Sequence, residues 1–145
     1  MKRFVLICIV LICSLPGFAQ RTKLGNNGIG IMVGSQTGIN FKHFINQRRG
    51  WDAAVSLGKN VTTFYVDYLL HTQQVFKTSN PWFYYGGGVL VATGGNDAVI
   101  AARGVVGLEF FAAPFDFFAE IAPVFSLTPA TNLDVDLELG VRFYF

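Results

Sequence analysis

Apolar and polar residues alternate without a break over the segment 133–145. Leu133, Val135, Leu137, Leu139, Val141, Phe143 and Phe145 occupy the odd positions, and Asp134, Asp136, Glu138, Gly140, Arg142 and Tyr144 the even ones. A period of two sends the two sets to opposite faces of a β-strand. The segment therefore reads as one long strand with an apolar face and a polar one.

The same rhythm recurs upstream, cut by turn-forming residues and free of helical periodicity. It predicts eight strands: Ile29 to Ser35, Gly38 to Asn46, Trp51 to Leu57, Val61 to His71, Trp82 to Ala92, Ala98 to Phe111, Phe115 to Leu127 and Leu133 to Phe145. The joints are Gln36-Thr37, Gln47 to Gly50, Gly58 to Asn60, Thr72 to Pro81, Thr93 to Asp97, Ala112 to Pro114 and Thr128 to Asn132, and residues 20–27 read as a loose tail. An even number of antiparallel strands lets the first pair with the last, which removes the exposed edges of an open sheet. The expected fold is all-β, an eight-stranded antiparallel up-and-down barrel.

Charge follows the alternation. Asp116 and Glu120 share a parity, as do Arg103 and Glu109, and so do Asp134, Asp136, Glu138 and Arg142; Lys42, Asp52 and Asp67 fit the same face. The opposite parity is apolar: Phe115, Phe117, Ala119, Ile121, Pro123, Phe125 and Leu127 form one row, and Phe64, Val66, Tyr68 and Leu70 another. Alternation by itself leaves open which face is inside. A soluble lipocalin-like barrel carrying a hydrophobic ligand buries the apolar face, and a transmembrane barrel turns it to lipid.

Composition favours the second arrangement. Charged residues make up 14% of the 145 positions, against roughly 25% in an ordinary soluble domain, which is too little to cover an aqueous exterior. Trp51 and Trp82 at strand starts, with Phe143 and Phe145, suit interfacial aromatic girdles. At the N-terminus, Lys2 and Arg3 precede the apolar run Phe4 to Leu15, then Pro16 and small residues before Gln20. That run is too short for a membrane-spanning helix and reads as a cleavable export signal, residues 1–19, ahead of a barrel domain, residues 20–145. An uncleaved anchor is the alternative. Cys8 and Cys13 both lie in the signal, and the bulky Ile12 makes a poor lipoprotein site of Cys13, so packing and backbone pairing hold the exported chain without disulfides. Without Lys2 and Arg3, nine basic residues balance nine acidic ones, which leaves no basic excess for nucleic acid.

An export signal, eight alternating strands and the ending Val141-Arg142-Phe143-Tyr144-Phe145 resemble the small bacterial outer-membrane barrels of the OmpA and OmpX type and other short exported β-barrels. The resemblance covers nearly all of the exported chain and rests on architecture. It implies an outer-membrane location, contact with membrane lipid, a monomer, and recognition by the barrel-assembly machinery during biogenesis. The residues matching the assembly signal are Leu137, Leu139, Val141, Phe143 and Phe145. Unlike OmpX-type relatives, the chain has turns too short to form a sheet projecting beyond the barrel.

Eight strands enclose a lumen that side chains just fill. Lys42, Arg103 and Arg142 facing Asp52, Asp67, Glu109, Glu120, Asp136 and Glu138 are expected to form an internal charge network, because confined charges need partners. Its acidic excess leaves a narrow cation path as a lesser reading. Hydrolysis of lipid acyl chains would need a Ser beside a His and a carboxylate. His71 shares a face with Asp67 but stands too far along the strand for contact, leaving Ser56 or Ser126 as partners across the lumen; His43 points outward. Neither histidine begins the His-x-Ser motif of a lipid A deacylase. Gly86-Gly87-Gly88 reads as a close-packing site within a strand. No catalytic residue, cofactor or metal site is expected.

Overall fold

The computed structural model describes residues 25–73, 81–95 and 97–145. They form eight antiparallel strands: β1 (Asn27–Gly34), β2 (Gly38–Phe44), β3 (Arg49–Leu57), β4 (Thr62–Thr72), β5 (Trp82–Gly94), β6 (Asp97–Ala112), β7 (Phe115–Thr128) and β8 (Asn132–Tyr144). Each pairs with the next, and β8 pairs with β1, closing the barrel.

The strands lie where the alternation places them, with ends shifted by the ladder. The expected Thr93 to Asp97 loop is mostly strand, because Thr93 pairs with Ala98 and Gly94 with Asp97. Gly95 in the turn that remains has a φ of +64°, which is tolerated by a residue without a Cβ. β3 begins at Arg49 and β4 runs to Thr72. The supposed tail is pinned from Asn26 onward: Phe44 N donates to Asn26 O at 2.8 Å and Phe145 N to Asn27 O at 2.9 Å. The expected export signal, residues 1–19, lies outside the described residues.

The ladders carry a cumulative stagger, with one register shift in β6–β7 between Ile100 and Ala101. Gly28 pairs with Lys42, Lys42 with Asp52, Asp52 with Asp67, Asp67 with Gly88, Gly88 with Arg103, Arg103 with Val124 and Val124 with Asp134. Where the ring closes, Gly28 pairs with Tyr144, so one circuit climbs the ten residues between Asp134 and Tyr144. A stagger of this size in eight strands goes with a strand tilt of about 40° from the axis.

Once a climb of roughly one and a quarter residues per strand is allowed for, the strand ends beside Asn27 and Phe145 lie close to one level. The opposite rim is uneven. β1, β2 and β3 have 8, 7 and 9 residues, whereas β5, β6, β7 and β8 have 13, 16, 14 and 13. The wall from β5 to β8 therefore rises above β1–β3. This corrects the expectation, drawn from the short turns, that nothing projects beyond the barrel: the strands themselves project.

The interior holds the core. Apolar residues such as Ile31, Val66, Ile121, Leu137 and Leu139 face outward and are half or more exposed, while Lys42, Asp52, Asp67, Arg103, Glu109, Asp116, Glu120, Glu138 and Arg142 are buried. One expected girdle residue behaves differently. Trp82 points inward and is buried, because it pairs with inward-facing Glu109 and so shares its face, whereas Trp51 lies outside against Phe41 and His43.

Candidate functional site

The lumen is packed in layers. At the level rim, Phe44, Trp82, Phe111 and Tyr144 form an aromatic floor. Phe44 stacks on Tyr144 with ring centroids 5.9 Å apart, and Trp82 meets Phe111 edge-on at 5.9 Å, arrangements that suit the ring quadrupoles. Phe44, Phe111 and Tyr144 share parity with the inward charges of their strands, whereas Trp82, on the uncharged β5, is turned inward by its pairing with Glu109.

Above the floor, Arg142 is the first charge hub. Its Nη1 lies 3.0 Å from Glu109 Oε1 and 3.4 Å from Asp116 Oδ2, its Nη2 is 3.1 Å from Asp52 Oδ2, and its Nε donates to Asn40 Oδ1. The guanidinium also sits 3.7 Å over the Phe118 ring. A planar fork with five donors can serve several carboxylates at once where an ammonium cannot. Lys42 pairs with Glu109 and lies 4.6 Å above the centre of the Tyr84 ring. His71 Nε2 is 3.3 Å from Glu109 Oε2, and Tyr144 donates its hydroxyl to Asp116 at 2.9 Å, tying this layer to the floor.

Arg103 is the second hub, one layer higher. Its Nε is 3.1 Å from Asp67 Oδ2, its Nη2 2.5 Å from Glu120 Oε1 and its Nη1 3.3 Å from Glu138 Oε1. The guanidinium rests 3.9 Å over the Tyr65 ring. Tyr65 donates to Glu138 at 2.8 Å and Tyr84 to Glu120 at 2.7 Å, which satisfies the outer carboxylate oxygens. Beside the two hubs, Met32, Ala54, Leu90, Ala101 and Val124 form one apolar cluster with the Tyr65 and Phe118 rings.

Of the residues that the sequence assigns to a luminal network, the structure joins Lys42, Asp52, Asp67, Arg103, Glu109, Glu120, Glu138 and Arg142 around the two hubs. Asp136 stands apart: it faces inward but lies half-buried near the mouth, where Gln36 Nε2 donates to it at 3.3 Å. It misses the hubs because β1 ends at Gly34, opposite Glu138, so beside Asp136 the wall is already open. Asp116 belongs to the network and carries the inward parity that would have found it. Nothing in the sequence pairs His71 with Glu109, whose meeting depends on how the staggered wall turns two separate strands toward each other.

The network contains six buried carboxylates and three fixed buried cations. The Oδ1 atoms of Asp52, Asp67 and Asp116 are buried without a hydrogen-bond partner. Among the described residues, no three or more His, Cys, Asp or Glu are grouped to hold a metal ion. The structure does not bring His71 together with Ser56 or Ser126. His71 lies low in the barrel beside Phe44 and Tyr84, whereas Ser56 exchanges hydrogen bonds with Thr37 at the opposite rim and Ser126 sits next to the β7–β8 turn. Gly88, within the glycine triplet, is where β5 crosses Asp67 closely: a Cβ there would fall 2.5 Å from Asp67 Oδ1.

The residues proposed to match an assembly signal all lie on the outward parity of β8 and its end, with Leu137 at 57%, Leu139 at 59% and Phe145 at 63% exposure. Compared with known proteins, the chain matches no family model, and no curated protein and no solved structure shows significant similarity to it.

Proposed function

We propose that the chain is a small integral outer-membrane β-barrel with a structural or surface role and no catalysis, its lumen filled by a polar side-chain network. The observation that carries this reading is the inverted distribution of polarity. Large aliphatic and aromatic side chains cover the outside of the wall, while nine charged residues are almost completely withdrawn from solvent inside it. In water this arrangement is doubly unfavourable, since apolar area stays hydrated and charges lose their hydration. In a bilayer the outer face is the favourable one, and the closed ring pairs the backbone wherever neighbouring strands run side by side.

A soluble carrier of hydrophobic ligands needs an apolar inner surface, and the lower lumen here is filled by Arg142, Arg103 and their carboxylates. The aromatic floor closes the level end against a cation path. Export by residues 1–19 and delivery by an assembly machinery reading Leu137, Leu139, Val141, Phe143 and Phe145 complete the proposal. The test is fractionation of expressing cells, followed by electrophoresis of the membrane fraction with and without boiling. Sedimentation with outer membrane and a heat-dependent mobility shift are expected. Recovery in the soluble periplasmic fraction with no shift overturns the reading.

A further inference from the structure

The apolar belt around the wall is a wedge. On β7 the outward row runs from Phe115 to Leu127, and on β2 with the residue that follows it only from Ile39 to Ile45. With about 3.3 Å per residue and a tilt near 40°, these rows span roughly 30 Å and roughly 15 Å of barrel height. An ordinary outer-membrane belt is about 25 Å tall, so one flank exceeds it and the other falls short.

The step is sharpest where β8 meets β1. Ser35 N donates to Leu137 O at 2.9 Å, and beyond that point the chain of β1 turns away through Gln36 and Thr37. β8 continues upward with Leu133 and Val135 outward, 66% and 58% exposed. Their neighbours across the ladder, Phe125 and Pro123, are apolar as well. A polar turn thus stands lower on the barrel than a strongly apolar patch. Under a flat bilayer surface, either the turn enters hydrocarbon or the patch enters water. Tilting the rigid barrel does not resolve this, because the opposite rim is level: any rotation that lowers the tall flank displaces the rim that already fits.

Resting on the lipid-facing reading above, we propose that the barrel thins the bilayer beside β1–β3, so that the lipid surface meets the Ser35–Thr37 turn on one flank and the top of β7–β8 on the other. A short apolar span is accommodated by local thinning at modest cost. The partner is a bilayer whose thickness changes around the barrel circumference.

The test uses the full chain with Cys8 and Cys13 replaced by Ser, carrying a nitroxide at Thr37→Cys or at Leu133→Cys. Each variant is reconstituted into dimyristoyl phosphatidylcholine vesicles and its accessibility to oxygen and to a water-soluble nickel chelate is compared. The expected result is a severalfold higher oxygen-to-nickel ratio at Leu133 than at Thr37, although Leu133 lies farther from the level rim. Equal ratios, both lipid-like or both aqueous, overturn the thinning proposal while leaving a membrane barrel in place. Failure of the protein to float with the vesicles overturns the lipid-facing reading itself.

Discussion

Asp52 and Asp67 stand directly opposite each other on β3 and β4, inside the barrel and each 1% exposed. Glu120 and Glu138 do the same on β7 and β8. Like charges opposed across a ladder destabilise it, so each pair persists only through the cations between them. Arg103 bridges Asp67, Glu120 and Glu138, and Arg142 bridges Asp52, Glu109 and Asp116. The two arginines hold carboxylates from five strands together, and the consequences of removing either side of the network are unequal.

Arg103→Met leaves three buried carboxylates without their shared cation. Breaking a buried pair by deleting one partner typically costs about 3–5 kcal/mol, and the loss here is expected to reach that range. Urea titration of the reconstituted barrel, read by the heat-dependent gel shift, checks it. A midpoint equal to that of the parent protein sinks the assignment of Arg103 as a hub. Arg103→Lys is expected to recover only part of the loss, because an ammonium has no planar fork for three acceptors.

Asp67→Asn should be far milder. Arg103 keeps Glu120 and Glu138, the like-charge contact with Asp52 disappears, and the interior has carboxylates to spare. The expected change is under about 1 kcal/mol in either direction, since a net hydrogen bond is worth about that much. The same urea titration measures it, and a loss as large as that of Arg103→Met would show that Asp67, not Arg103, carries the layer.

Much of this was legible in the sequence, for a physical reason that particular residues show. Period two binds side-chain direction to residue number, so Glu109, Glu120 and Arg142 could be assigned to one face before any contact was known. Parity says nothing about height, however. Asp136 has the right face and the wrong level, while His71 reaches Glu109 only because the wall climbs ten residues per turn. Trp82 lies near a strand end, and β5 carries no charged residue whose parity would mark its inward face. The uneven rim was hidden because it comes from differences in strand length combined with stagger, and turn length carries neither.

Ile121→Arg places a charge near the middle of the outward row of β7, where the side chain is 53% exposed. If the face meets lipid, an Arg at mid-depth costs about 2–4 kcal/mol and an Asp somewhat less, so Ile121→Arg and, to a lesser degree, Val66→Asp should reduce the heat-shifting fraction in vesicles. In a soluble barrel with this face in water, both variants would assemble normally and become more soluble. Flotation of the two variants with vesicles, scored beside the parent protein, distinguishes the cases.

Gly107 gives the most local test of the packed lumen. A Cβ built on it falls 2.2 Å from Tyr84 Cζ and 2.4 Å from its hydroxyl. Tyr84 has little room to retreat: it is fully buried, stacks on His71 at 5.5 Å, lies under Lys42 and donates to Glu120. Gly107→Ala should therefore displace the ring and break the Tyr84–Glu120 bond, with a loss of about 1–3 kcal/mol typical of overpacking. The companion change Tyr84→Leu relieves the overlap but also gives up that hydrogen bond, so the double variant should be less impaired than the two single losses together. A coupling of at least about 0.5 kcal/mol in this cycle, read from urea midpoints, is what direct contact requires. Strict additivity would mean that the ring does not fill the space over Gly107 and that the lumen is looser than its geometry indicates.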